Sequence, residues 1–143
     1  MIYLLLAFLA GTVLPVQAGV NGALRDQLGH PIWATLVSFF VGTCTLAIYA
    51  AAARLPLPGS WAGIEVWKWT GGALGTIYLT LAVILNPKLG AATTFGLVIA
   101  GQLAASLVLD HFGWLGVPQH SLNLPRVAGV VLMLAGVFLV RKF

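Results

Sequence analysis

The run from Leu89 to Leu109, LGAATTFGLVIAGQLAASLVL, contains no Asp, Glu, Lys or Arg. A helix that crosses a hydrocarbon core roughly 30 Å thick needs about 20 predominantly apolar residues, within a range of roughly 17–25. This run meets that requirement, and its polar members (Thr93, Thr94, Gln102 and Ser106) are uncharged. Lys88 bounds it on one side and Asp110 on the other. A membrane-spanning helix is therefore predicted over 89–110.

Working outward, the same splitting at charges gives the rest. Met1 to Leu24, Gln27 to Ala53 and Trp69 to Pro87 are also free of charge. Val127 to Val140 is shorter, and it reaches spanning length when counted from Pro125 with Arg126 and Arg141 snorkelling outward. The expectation is an all-α integral membrane protein, a single transmembrane domain over 1–143 with spans at about 2–24, 31–53, 67–86, 89–110 and 125–141. Composition agrees: 60% of the 143 residues are apolar and 7% charged, and the mean hydropathy is +1.01. Soluble domains carry about 45–50% apolar and about 25% charged residues. A soluble fold, a disordered chain and a collagen-like fibre are excluded.

The connections read as turns. Arg25–His30 is expected to be a tight polar turn, and Asn86-Pro87-Lys88 another, short enough to make the third and fourth spans antiparallel neighbours. Pro56, Pro58 and Gly59 break any helix between the second and third spans. Gly116 and Pro118 lie between the fourth and fifth, and Pro125 suits a first helical turn. Trp33, Trp61, Trp67, Trp69 and Trp114 all fall near span ends, as in an interfacial aromatic belt. They are not a stacking surface for nucleic acid. Val16-Gln17-Ala18 has the look of a signal-peptide cleavage site, but no Lys or Arg precedes the apolar stretch, so the first segment is expected to be retained.

With five spans, one membrane face holds Arg54, Lys68 and Arg126 and the other holds Arg25, Lys88, Arg141 and Lys142. Three against four of the 7 basic residues gives the positive-inside rule almost nothing to act on. Either a single charge decides the orientation, or the chain inserts both ways and pairs antiparallel with itself. Five helices are few for enclosing a path, and many transporters place their site between inverted repeats near the bilayer midplane. An antiparallel homodimer would reproduce that arrangement; a heterodimer with a paralogue is the other assembly.

Polar residues inside the spans are the site candidates. Gln17 and Asn21 share a face of the first helix, with Pro15 just before them. Ser38, Gly42, Thr45 and Tyr49 form a stripe on the second. Gln102, Ser106 and Asp110 share a face of the fourth, and Tyr78 lies in the third. An amide in hydrocarbon needs a partner or a water-filled cavity. Gln17, Asn21 and Gln102 therefore either line a shared polar path or bond helix to helix. Asp110 either relays protons or cations, or pairs with a base at the interface. Gly71 with Gly75, and Gly129 with Gly136, read as small residues for helix packing.

No charged side chain lies at the middle of a span, which disfavours proton-coupled cation export and favours a neutral, zwitterionic or aromatic solute, or passive facilitation. Cys44 is the only cysteine, and the three histidines are spread apart, so neither a metal nor another cofactor is expected. No nucleophile–base pair or phosphate-cradling loop is present, and an enzyme is not expected.

Several local patterns together resemble the small YdcZ-like family of the drug/metabolite transporter (EamA-like) superfamily. They are Pro15-Val16-Gln17 with Asn21, Gly71-Gly72 with Gly75, Asn86-Pro87 before Gly90-Ala91-Ala92, and Gly101-Gln102 with Ser106 and Asp110-His111-Phe112-Gly113. The Gly129–Gly136 helix is similar to that family's last span. The resemblance implies a multi-pass protein of the bacterial inner membrane, equivalent to one half of the ten-helix transporters built from two inverted five-helix halves. The superfamily moves amino acids, nucleotides, sugars, drugs and other metabolites. Its four-span multidrug relatives use a glutamate in the first helix, and this chain has none there. The functional expectation is a small-molecule transporter with its path between protomers of an antiparallel dimer. The other reading is a non-transporting accessory or assembly subunit.

Overall fold

The computed structural model describes residues 1–143. It contains five long helices and no strands: α1 (Ile2–Leu28), α2 (Pro31–Ala52), α3 (Thr70–Leu89), α4 (Ala91–Phe112) and α5 (Leu124–Lys142). All five are long and apolar enough to cross a membrane. Large apolar side chains such as Leu4, Phe8, Phe40, Leu46, Leu132 and Phe138 stand exposed along them. Helices that are apolar all round are at home in lipid, where the solvent itself is hydrocarbon.

Two turn readings need correction. Arg25–Leu28 is helical, and the turn is confined to Gly29 and His30. Gly29 adopts the left-handed conformation (φ 75°), which only glycine enters without strain, and its N–H donates to the Arg25 carbonyl at 2.8 Å. Pro31 then opens α2, with the His30 Nδ1 accepting from the Ile32 N–H at 3.2 Å. Likewise Asn86, Pro87 and Lys88 belong to the last turn of α3 rather than to a loop, and the chain turns at Gly90 (φ 80°).

Pro87 links the two corrected helix ends. The Val83 carbonyl would normally accept from the N–H of residue 87, and proline has none. The guanidinium of Arg25 donates to that carbonyl at 3.2 Å instead. A charge that splits the sequence into segments is thus held inside a helix, because its head group serves a neighbouring backbone. Arg25 also pairs with Asp26.

The chain forms two compact units, Met1–Lys88 and Leu89–Phe143. In the first, α2 and α3 are joined by a hydrogen bond from the Thr80 hydroxyl to that of Thr35 at 3.2 Å, and the Phe39 ring lies against Gly75. In the second, Gly96 of α4 receives the side chain of Val137 of α5. Asn123 caps α5 by accepting from the Arg126 N–H at 3.0 Å. Trp61 and Trp69 stack at 5.8 Å beside the 3-10 turn Val66–Trp69, and Glu65 pairs with Lys68 there.

Candidate functional site

Gln17, Gly42 and Leu79 lie near the middle of α1, α2 and α3, and together with Ser38, Phe39 and Thr43 they line a cavity of about 270 Å³. The three helices are long and apolar enough to cross the bilayer, and their midpoints place this open cleft near mid-depth. A hydroxyl or amide at that depth has no lipid partner. Thr43 satisfies its own proton by donating to the Phe39 carbonyl at 2.9 Å. Gln17, exposed on α1, and Ser38, half-buried on α2, are the other polar residues of the lining. Two residues before Gln17, Pro15 lacks the N–H that would serve the Gly11 carbonyl, so α1 is loosened at the same level. A second, larger cavity of about 400 Å³ beside it, lined by Ile32, Thr35, Leu36, Thr76 and Leu81 among others, is almost wholly apolar.

The remaining sequence candidates fall in different surroundings. Asn21 is 3% exposed, and its Nδ2 has no hydrogen-bond partner. Tyr78 is half-buried on α3. Gln102 and Ser106 are exposed on α4 in the second unit. Asp110 is paired with Arg126, the base at the start of α5. For the glycines, a Cβ on Gly75 would sit 3.4 Å from the Phe39 ring, whereas one on Gly71, Gly129 or Gly136 would meet nothing within 4 Å inside the chain.

Three features escape a reading of the sequence. Ser38 is visible there only as one member of a stripe, and its meeting with Gln17 depends on which face of α2 turns to α1. Gly96 has no pattern to mark it. Arg25 reads as a loop charge, although the Pro87 four residues after Val83 is a usable sign that a donor is wanted nearby.

Comparison with known proteins fits this architecture. The family described as "Putative inner membrane exporter, YdcZ" matches residues 2–139. The chain belongs to this family. The inner membrane protein YdcZ of Escherichia coli (strain K12) is 33% identical over 79 residues, covering 55% of this chain and 52% of that protein. The alignment thus spans about half the length of that relative. No solved structure gives a significant match. Family membership and five apolar spanning helices make this YdcZ-family chain a multi-pass protein of the bacterial inner membrane.

Proposed function

We propose that the protein moves small solutes across the inner membrane, with the Gln17 amide and the Ser38 hydroxyl as hydrogen-bonding groups of a mid-depth binding position. The observation that supports this is the polar-lipped cavity at the centre of three spans. Open hydrogen-bonding groups at that depth call for a polar ligand, water or a partner helix. The lining carries no charged group, which favours an uncharged or internally neutral cargo, and the Phe39 ring offers an apolar wall. At about 270 Å³ the cavity lies just below the roughly 300–1,000 Å³ of pockets for drug-sized ligands, so the cargo is a small metabolite. The family's description points to export as the direction.

In this reading Asn21, Tyr78, Gln102, Ser106 and Asp110 are further positions of the path, completed when a second copy packs antiparallel. The open glycines Gly71, Gly129 and Gly136 are where the partner's helices would approach closely.

Metabolite profiling of medium and cytoplasm tests the proposal in cells producing the wild type or Gln17→Leu. One or more small solutes should accumulate outside wild-type producers, and the variant should lower that export about tenfold, the worth of roughly 1.4 kcal/mol of lost hydrogen bonding. Both proteins should crosslink to dimers equally. Unchanged solutes together with lost assembly would instead establish the accessory-subunit role. Reporters fused to both termini provide the second check. Signal from each terminus on both sides of the membrane is expected, and one fixed orientation would remove the antiparallel homodimer.

A further inference from the structure

At one end of the second unit, Asp110, His120, Ser121, Asn123 and Arg126 line a cavity of about 520 Å³. It lies where α4 ends and α5 begins, the level at which a spanning protein meets lipid headgroups. The exposed rings of Phe112 and Trp114, stacked at 4.8 Å, mark the same interface.

The loop that closes this cavity is held by a set of directed bonds. The His120 N–H donates to the Asp110 carbonyl at 2.8 Å. Gln119 donates to the His111 carbonyl at 2.9 Å, and the Leu122 N–H donates to the His111 Nδ1 at 3.1 Å. The Arg126 guanidinium donates to both the His120 carbonyl (3.0 Å) and the Asp110 Oδ2.

The hydrogen-bonding capacity left over is what defines the site. The His120 Nδ1 lies 3.1 Å from the Pro118 carbonyl, which can only accept, so this nitrogen carries a proton and, in the neutral ring, Nε2 is the acceptor. Asp110 retains Oδ1 as a second acceptor. On the donor side, Arg126 keeps unused guanidinium protons, Asn123 keeps its NH2 because its Oδ1 is spent on the helix cap, and Ser121 keeps its hydroxyl. Acceptors and donors therefore line one open pocket whose own charges already cancel; Asp110 and Arg126 at its base are half-buried, with side chains 26% and 30% exposed, and His120, Ser121 and Asn123 form its exposed rim. A purely anionic or purely cationic ligand would match one member of the pair and oppose the other. A ligand with both charges matches both.

We infer that this cavity binds a zwitterionic phosphate–ammonium group, supplied by the headgroup of phosphatidylethanolamine. Arg126, Ser121 and Asn123 take the phosphate oxygens, and Asp110 with the His120 Nε2 takes the ammonium. The site shares no residue with the mid-depth cavity; Asp110 is its one residue that the transport reading also uses, and retention of a lipid headgroup is read out without transport.

Native mass spectrometry of the full chain, released from detergent with equimolar phosphatidylethanolamine and phosphatidylglycerol, tests this. The ethanolamine lipid should be retained about tenfold over the glycerol lipid, since only its ammonium finds Asp110. Asp110→Asn should erase that preference. Because Asp110→Asn also weakens the ion pair, the His120→Ala/Ser121→Ala double variant is the cleaner arm. It leaves the main-chain bonds and the ion pair in place and removes only the exposed His120–Pro118 bond from the loop, so lipid retention should fall while the melting temperature of the delipidated protein changes little. Equal retention of the two lipids, or a preference unaltered in both variants, overturns the site. Soluble O-phosphoethanolamine separates the two sources of this chemistry. Failure to displace the lipid at large excess supports the headgroup, and displacement at comparable concentration overturns the lipid assignment.

Discussion

Replacing Gly96 by Leu should pry α5 off α4 and cost about 1–3 kcal/mol, the range for overpacking a well-filled interface. A Cβ on Gly96 would sit 2.7 Å from the Cγ2 of Val137 and 3.2 Å from its Cγ1. Carbon atoms in good contact are roughly 3.5–4.0 Å apart. Val137 has little room to yield, because it is buried and its branched side chain is confined to one rotamer in a helix. The strain should therefore reach the backbone. Unfolding in mixed micelles should show the loss for Gly96→Leu. A smaller loss for Gly96→Ala should be mostly recovered when Val137→Ala is added, because the two changes share one volume. Strictly additive losses would mean that the close approach is not what Gly96 provides.

The second large effect is expected at Arg25. Arg25→Met keeps the length and apolar stem of the side chain but removes the donor that Pro87 makes necessary. The Val83 carbonyl, in a residue that is 0% exposed, would then lack a partner, at a cost of about 1–3 kcal/mol. Pro87→Ala supplies a backbone N–H for the same carbonyl. In that background Arg25→Met should cost only a few tenths of a kcal/mol, within the scatter of surface substitutions. A double-mutant cycle read by unfolding measures the coupling directly. If Arg25→Met costs the same with and without Pro87, the arginine is merely a surface cation and the proline's carbonyl is served in some other way.

These two positions show where the sequence was readable and where it was not. The span around Gln102 is legible because a bilayer imposes one simple demand, enough apolar residues without charge, and Leu89–Leu109 states it openly. The ends of α1 and α3 are misread by the same rule. It treats Arg25 and Asn86-Pro87-Lys88 as breaks, although the arginine and the proline are two halves of one hydrogen-bonding arrangement on different helices. The candidate site divides in the same manner. The Gln17 amide is conspicuous in sequence because it is costly in lipid, but its cavity needs Ser38 and Leu79 from two other helices, and the rotation of each helix about its axis is set by packing. The Asp110 carboxylate is visible, and that it seeks a base follows from its position. That the base is Arg126 depends on the path of the intervening loop, which His111 fixes.

The ion pairs have one more consequence. All three acids are matched with a base on their own side of the membrane: Asp26 with Arg25, Glu65 with Lys68, and Asp110 with Arg126. The bases outside these pairs are Arg54, Lys88, Arg141 and Lys142. Were the five helices to alternate in direction as the sequence predicts, a single copy would carry one free cation on one face and three on the other, a surplus drawn toward whichever leaflet is more anionic. Two copies side by side in the same sense would double that imbalance. Two copies in opposite senses would show each leaflet the same set of four, leaving a polarity-free particle with no electrostatic preference for either side.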